Sequence, residues 1–294
     1  MRSHFDYHRP DSVADAVRMK HELGIDACFW AGGTDLVLQW KQEKIKPLHC
    51  IDLTAIDDLA YIKSEKGMLR IGGLTTLAEI ERAGRQDPYL RTLADVARLM
   101  ATQQTRTLAT IAGNLCNASP AADLIPTLIA MGAYLSVAGE QGGRELPLEQ
   151  LMRGPGRTSL QHSEILTEIC IPLPSQARAS SYRRIDRTVV DIALVSAAGA
   201  ITLDSNGVVD SVKIALGAVA PTVIRSARAE ALLSGVLLSS LSHEDLQRIG
   251  DAAAEDATPI NDIRASAVYR TAMIRVLVRR VLEDISCSLS GESE

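Results

Sequence analysis

The stretch TIAGNLCNASPAADLIP, Thr110 to Pro126, limits what this chain can fold into more than any other segment. From Thr110 to Asp123 it holds one glycine, two asparagines, one acid and almost no large side chain; at Leu124 it turns apolar. A packed core segment carries more bulk, and a disordered linker does not run straight into LIPTLIAMGA. Something must approach the backbone here so closely that only small residues fit. WAGGTDL, Trp30 to Leu36, has the same character. Both read as glycine-bearing turns between a predicted strand and a predicted helix. Small residues let backbone N–H groups face a phosphate, and a helix N-terminus adds partial positive charge. Two such loops predict a clamp for a diphosphate, with a dinucleotide as the expected visitor. Asp123, at the end of the second loop, is placed to accept two hydrogen bonds from a ribose diol.

Plainer readings stand beside this one. A GG turn before a helix is common, Asn114 and Asn117 can satisfy turn backbones, and Asp123 can be an ordinary N-cap. Neither loop matches G-x-G-x-x-G or the P-loop G-x-x-x-x-G-K-[ST], so the familiar nucleotide folds are disfavoured. The residues alone lead as far as a phosphate binder.

The remaining pattern places the loops. PDSVADAVRMKHELG predicts a helix capped by Asp11 or Ser12 and closed by Gly24. DACFWAGG, HCIDL and MLRIGG predict strands, TDLVLQWKQ a helix, and TLAEIERAG a helix opened by a capping box from Thr76 to Glu79. After the small-residue stretch come a helix, DLIPTLIAMG, and the strands YLSVAG and EILTEICIP, an alternating α/β pattern up to Pro174. PLPSQARASS, residues 172–181, is a turn-rich boundary, so two domains are expected, 1–175 and 176–294. Beyond it SYRRID, IALVSAAGAITLD and VVDSVKIALGAVAP predict a small sheet. Three helical patterns follow, and strands succeeded by helices predict an α+β unit.

Composition excludes several function classes. A net charge of −5 with no basic stripe disfavours nucleic acid, and RVLVRR reads as the solvated face of a helix. MRSHFDYHRPDS has no apolar stretch after a basic head, so no signal peptide is expected, and no apolar run is long enough for a membrane span. The five cysteines, Cys28, Cys50, Cys116, Cys170 and Cys287, are scattered and never form C-x-x-C, which predicts reduced, mostly buried thiols and no cluster. The six histidines, His4, His8, His21, His49, His162 and His243, form no metal pair at helical spacing.

At its two loops the chain resembles the FAD-binding (medium) subunits of molybdenum hydroxylases, the family of carbon monoxide dehydrogenase, xanthine dehydrogenase-type enzymes and bacterial N-heterocycle hydroxylases. AGGTDL at 31–36 is similar to the family's first flavin loop. TIAGNLCNASPAADLIPTLIAMGA at 110–133 is similar to the second, which usually reads T-[IL]-G-G-N-x-x-x-A-S-P-x-x-D. IDLTAIDDL, LRIGGLTTLAEIE, DIALVSAAGAITLD, LGAVAPTVIRSARAEALLSG and DIRASAVYRTAMIRVLVRR extend the resemblance over essentially the whole chain.

The resemblance implies an α+β fold, a two-lobed α/β FAD-binding domain (PCMH-type) followed by a smaller α+β domain with an antiparallel sheet and helices. It implies that Phe29, Trp30, Ala31, Gly32, Gly33, Thr34, Asp35 and Leu36 wrap the FAD diphosphate. Thr110, Ile111, Ala112, Gly113 and Asn114 would form the opposite wall, and Asp123 would hold a ribose. Met100 and Leu166 match flavin contacts, and Arg184 matches a position usually held by lysine. Ala112 replaces the first glycine of the usual pair, so the loop must tolerate one Cβ, and Arg184 changes the geometry of a charge that bears on the flavin potential. No cysteine-bearing insertion interrupts the first domain, so the extra [4Fe–4S] cluster of one branch is not expected.

The activity so implied is that of a flavoprotein oxidoreductase subunit with no catalytic acid or base and no metal ligands of its own. A large molybdopterin subunit would hydroxylate an N-heterocycle, aldehyde, CO or similar substrate. A small [2Fe–2S] subunit would pass electrons to FAD, and FAD to an external acceptor, in a cytoplasmic dimer of heterotrimers. Two rivals remain: a self-sufficient small flavin-dependent oxidase or reductase, and a non-redox ligand-binding relative.

Overall fold

The computed structural model describes residues 5–188 and 190–291; His4 lies outside that range. The first elements are β1 (Asp6–His8), α1 (Val13–Leu23), β2 (Ala27–Trp30), α2 (Leu36–Lys41) and β3 (His49–Asp52). The strands form a three-stranded parallel sheet in the order β1-β3-β2. Ser12 caps α1 through a 3.1 Å bond from the Asp15 amide to its Oγ, and Gly24, at φ 61°, ends it. Ala16 and Val17 of α1 pack on Ala27 and Ile51, closing a small core.

The chain continues through β4 (Ile62–Glu65), β5 (Met68–Gly72), α3 (Leu77–Ala83), α4 (Arg91–Leu99), α5 (Gln103–Arg106), α6 (Ile111–Cys116) and α7 (Leu124–Ala130). Next come β6 (Tyr134–Gly139), β7 (Gly142–Pro147), the two-stranded ribbon of β8 (Met152–Gly154) and β9 (Arg157–Thr158), and β10 (Ile165–Pro172). The capping box of Thr76 and Glu79 opens α3 as expected. A five-stranded sheet, β4-β5-β10-β6-β7, is antiparallel throughout. Here the structure departs from the α/β alternation of the sequence. Lys66 and Gly67, at φ 51° and 73°, make a two-residue hairpin turn, so β5 folds back on β4 instead of crossing over through a helix. Leu69, Ile71, Leu135, Val137, Ile169 and Ile171 project from one face into the largest core, beneath α3, α4, α6 and α7.

The C-terminal part is a four-stranded antiparallel sheet of β11 (Arg178–Ile185), β12 (Val195–Leu203), β13 (Val209–Gly217) and β14 (Ile224–Arg225), then α8 (Ala227–Leu233), α9 (His243–Glu255) and α10 (Ala267–Ser290). β11 begins inside the stretch that reads as a linker. The fold is therefore α+β. Residues 195–202 of β12 are buried on both faces because helices cover both. On one side a Cβ at Gly199 would stand 2.8 Å from Val281 of α10. On the other, Ala198 and Ala200 join the core that contains α7. All seven residues of α7 are buried, which explains why the sequence turns wholly apolar at Leu124.

Of the five cysteines only Cys50 and Cys170 are fully buried, whereas Cys116 and Cys287 are exposed, so "mostly buried" does not hold. Among the described residues no helix is long and apolar enough to cross a membrane. Leu128 of α7 has no exposed surface. Leu128→Ala is expected to lower stability by about 2–5 kcal/mol, read as a lower guanidinium midpoint with an unchanged slope.

Candidate functional site

A cleft of about 640 Å³ opens between the parallel and antiparallel sheets and is bordered by the C-terminal part. It is lined by Phe29, by residues 31–36, by Met100 at the end of α4, by parts of 109–123, by Leu166 of β10, and by Arg184 of β11.

The first loop leaves β2 at Trp30 and enters α2 at Leu36. The amides of Gly32, Gly33, Thr34 and Asp35 find no acceptor among the described residues, so four N–H groups border the cleft uncommitted. The two glycines have different reasons. Gly33 takes φ 69° with the Trp30 ring against it, so a Cβ there is strained. A Cβ on Gly32 would stand 1.8 Å from the Leu108 carbonyl oxygen. Gly32 thus marks where the first loop touches the approach to the second. The helix after the loop is only six residues long, so the amides rather than a helix end are what the loop offers an anion. Burial pushes the Asp35 carboxyl above its ordinary range.

The second stretch is not a loop throughout. Thr110 caps α6, so Ile111 to Cys116 are helical. The amides of Ile111 and Ala112 donate to the carbonyls of Thr75 and Gly73, both at 3.0 Å. That of Gly113 donates to Thr110 Oγ1 at 3.1 Å, and that of Asn114 to the Thr110 carbonyl at 3.0 Å. This wall therefore cannot use those amides on a diphosphate. It presents small surfaces and the Asn114 side chain, whose buried Oδ1 has no partner among the described residues. The extra methyl of Ala112 lies against Gly73, 3.2 Å from where a Cβ would stand there. The Asn117 Oδ1 accepts from Gln39 of α2 at 3.5 Å.

Asp123 stands at the N-cap position of α7, yet its side chain makes no cap bond. Its Oδ1 accepts from the Tyr182 hydroxyl at 2.5 Å, and its Oδ2 from Arg184 Nη1 at 3.0 Å. Arg184 also donates to the Leu99 carbonyl and pairs with Asp186, both at 2.8 Å. Burial pushes the Asp123 carboxyl up, and the Arg184 guanidinium opposes this. Burial drives the Tyr182 phenol well above its ordinary range, so it stays a donor. A carboxylate has about four acceptor positions, of which these bonds use two.

Fifteen of the seventeen expected residues border the cleft; Trp30 and Ile111 do not. Ile111 is sealed in the core, and Trp30 serves through its ring against Gly33. Sequence reasoning missed Tyr182, although its spacing from Arg184 places both on one face of β11. It also missed Leu160, Gln161, Val190 and Ile192, which no local pattern marks. Among the described residues no group of three or more His, Cys, Asp or Glu is set to hold a metal.

Residues 3–174 match the model of the FAD binding domain in molybdopterin dehydrogenase, and residues 180–285 that of the CO dehydrogenase flavoprotein C-terminal domain. The chain is 32% identical over 278 residues to the carbon monoxide dehydrogenase medium chain of Hydrogenophaga pseudoflava, covering 95% of this chain and 96% of that one. It is 29% identical to the putative xanthine dehydrogenase FAD-binding subunit of Escherichia coli strain K12, covering 97% of each. A solved structure of reconstituted CO dehydrogenase from Oligotropha carboxidovorans superposes with a TM-score of 0.90 at 31% identity, covering 98% of this chain and 99% of that one.

Gly32 tests the contact between the two stretches. Gly32→Ala sets a methyl against a backbone carbonyl and should cost about 1–3 kcal/mol. Gly113→Ala meets only the Thr110 Oγ1, at 2.9 Å; displacing that cap costs about 0.5–2 kcal/mol, partly offset by alanine's helix preference of about 1 kcal/mol, so the net change should stay near 1 kcal/mol or less. Thermal melts of the two variants, compared with the parent, check the difference.

Proposed function

This chain belongs to the family of FAD-binding subunits of molybdopterin dehydrogenases, and on that premise we propose how its cleft holds the cofactor and what it does there. It is the flavoprotein subunit of a heteromeric molybdenum hydroxylase. When bound, the FAD isoalloxazine supplies the redox chemistry, taking electrons from the [2Fe–2S] subunit and giving them to an external acceptor. The molybdopterin and iron–sulfur groups belong to the large and small partner subunits.

The observation that carries the site is the pairing of four uncommitted amides, Gly32 to Asp35, with the orphaned Asn114 Oδ1 across the same cleft. A diphosphate has the acceptors the amides lack, and a bound ligand carrying a donor would satisfy Asn114. The Thr34 hydroxyl would add a donor on the phosphate side. Asp123, with acceptor positions left beyond its bonds to Tyr182 and Arg184, would take a ribose diol. Met100 and Leu166 would give apolar contact to the ring system, with Phe29 and Leu36 flanking it. Gly113 and Ala112 would let the ligand lie close to α6.

Arg184 is held by Asp123 and Asp186, so its cation reaches the cleft already balanced by two carboxylates. It would bear on the flavin as a fixed, partly neutralised charge, unlike an unpaired cation. We divide the chain near residue 175, the first part binding and the second closing the cleft through Arg184 and Val190–Ile192. The scattered cysteines suit a reducing compartment, and we place the assembly in the cytoplasm.

Two outcomes check this reading. Asp123→Ala should reduce FAD affinity at least tenfold, since a charged hydrogen bond contributes about 1.5–3 kcal/mol; FAD retained after gel filtration and dialysis is the measurement. The lone chain should carry about one FAD per chain by family resemblance, with no molybdenum or iron. It should turn over no organic substrate until its two partner subunits are added. Substrate turnover by the lone flavoprotein would instead establish a self-sufficient oxidase, and a colourless chain that never takes up FAD a non-redox relative.

A further inference from the structure

Cys28 of β2 and Cys50 of β3 are direct partners in the parallel ladder. Residues opposite one another leave a sheet on the same face, and neighbouring strands lie about 4.8 Å apart. A disulfide spans Cα separations of about 4.4–6.8 Å, and the ladder spacing falls within that range. The two thiols perturb each other's titration, as adjacent sulfurs do. The other three cysteines have separate surroundings: Cys116 lines the cleft, Cys287 lies on α10, and the Cys170 thiol donates to Glu168 Oε1 at 2.9 Å. We propose that Cys28 and Cys50 are a redox-active dithiol that closes to a disulfide when it meets an oxidant of the hydroperoxide class.

The two thiols are unequal in ways that assign their roles. Cys28 is half-buried and Cys50 fully buried, so Cys28 meets the oxidant. Lys20 of α1 donates from Nζ to the Ala27 carbonyl at 2.6 Å and to the Gly24 carbonyl at 3.1 Å, which fixes an ammonium beside the peptide that precedes Cys28. The Cys50 neighbour and the nearby ammonium hold the Cys28 thiol below its ordinary range, against the effect of burial. Its Cys28 neighbour and burial push Cys50 well above.

The chemistry balances with one peroxide. The Cys28 thiolate attacks a peroxide oxygen: an S–O bond forms, the O–O bond breaks, and hydroxide leaves and is protonated to water. Cys50 sulfur then attacks the sulfenic sulfur of Cys28: the S–S bond forms, the S–O bond breaks, and a second water leaves. Two thiols lose two electrons and two protons, and one hydrogen peroxide becomes two waters. The bridge would lie two residues before Trp30, whose ring supports Gly33, so it would tie down the strand that delivers the first loop.

The test uses the assembled protein, reduced and freed of reductant, then exposed to a few equivalents of hydrogen peroxide. After acid quenching, thiols are alkylated in denaturant and peptides are mapped by mass. Alkylatable cysteines on this chain should fall from five to three. One peptide pair should join Cys28 to Cys50, about 2 Da lighter than the two thiol peptides. Dithiothreitol should restore both thiols. In Cys50→Ser, dimedone should trap a sulfenic acid on Cys28. The proposal fails if Cys28 and Cys50 both remain alkylatable while the exposed Cys287 is oxidised. It fails equally if Cys28 goes to sulfinic acid in the parent chain without any cross-linked pair. Both failures are read on the parent protein, so they do not depend on the folding of the variant.

Discussion

The burial of α7 on every side is the constraint on which the rest of the structure depends. Helix Leu124–Ala130 lies between the five-stranded sheet and the C-terminal sheet, with Leu124, Ile125 and Leu128 fully enclosed. Each such side chain contributes about 1.5–3 kcal/mol of transfer free energy, so this short helix joins two sheets that neither loops nor surface contacts would hold. Its burial requires small partners. Ala198, Ala200 and Ala215 supply them, and Gly217 lets Pro126 approach to 3.1 Å of where its Cβ would be. The Ala218 amide then donates to the Pro120 carbonyl at 2.8 Å, and the Ala218 carbonyl accepts from buried Arg270 at 2.9 Å. The second small-residue stretch is thereby held from behind by the C-terminal part.

The two glycine-bearing segments divide the work unequally. The first leaves four amides without internal acceptors, the kind of backbone that a ligand completes. The second commits its amides to Thr110, Thr75 and Gly73, so it is a rigid wall. Much of its smallness serves the protein itself: α6 must lie against Gly73, and Leu108 against Gly32. The bulky object that excludes large residues is therefore partly the neighbouring chain and partly the space left for a ligand.

Asp123 connects the core to the cleft. It stands at the end of the buried helix, and its carboxylate is oriented by Tyr182 and Arg184 from a strand about sixty positions later. A carboxylate buried to this degree is tolerated because a guanidinium and a phenol both donate to it. Arg184 in turn fixes the end of α4 through the Leu99 carbonyl, bringing three separate segments to one point beside Met100.

The sequence by itself determined what short-range chemistry controls. The cap at Asp11 or Ser12, the box at Thr76, the closure of α1 at Gly24, the strands with buried faces and the three C-terminal helices were legible because each depends on residues within a few positions. The two small-residue segments were legible too, since close approach leaves no alternative to Gly, Ala, Ser and Asn. Only tertiary structure decided the rest. The antiparallel pairing of β10 between β5 and β6 joins residues far apart in the chain, and periodicity reports a strand's faces but not its neighbours. Whether the amides of Ile111 and Ala112 were available depended on Thr75 and Gly73, some forty residues away. Whether Asp123 capped its own helix or met Tyr182 and Arg184 depended on where β11 packed, because a carboxylate goes to whichever donors folding places around it.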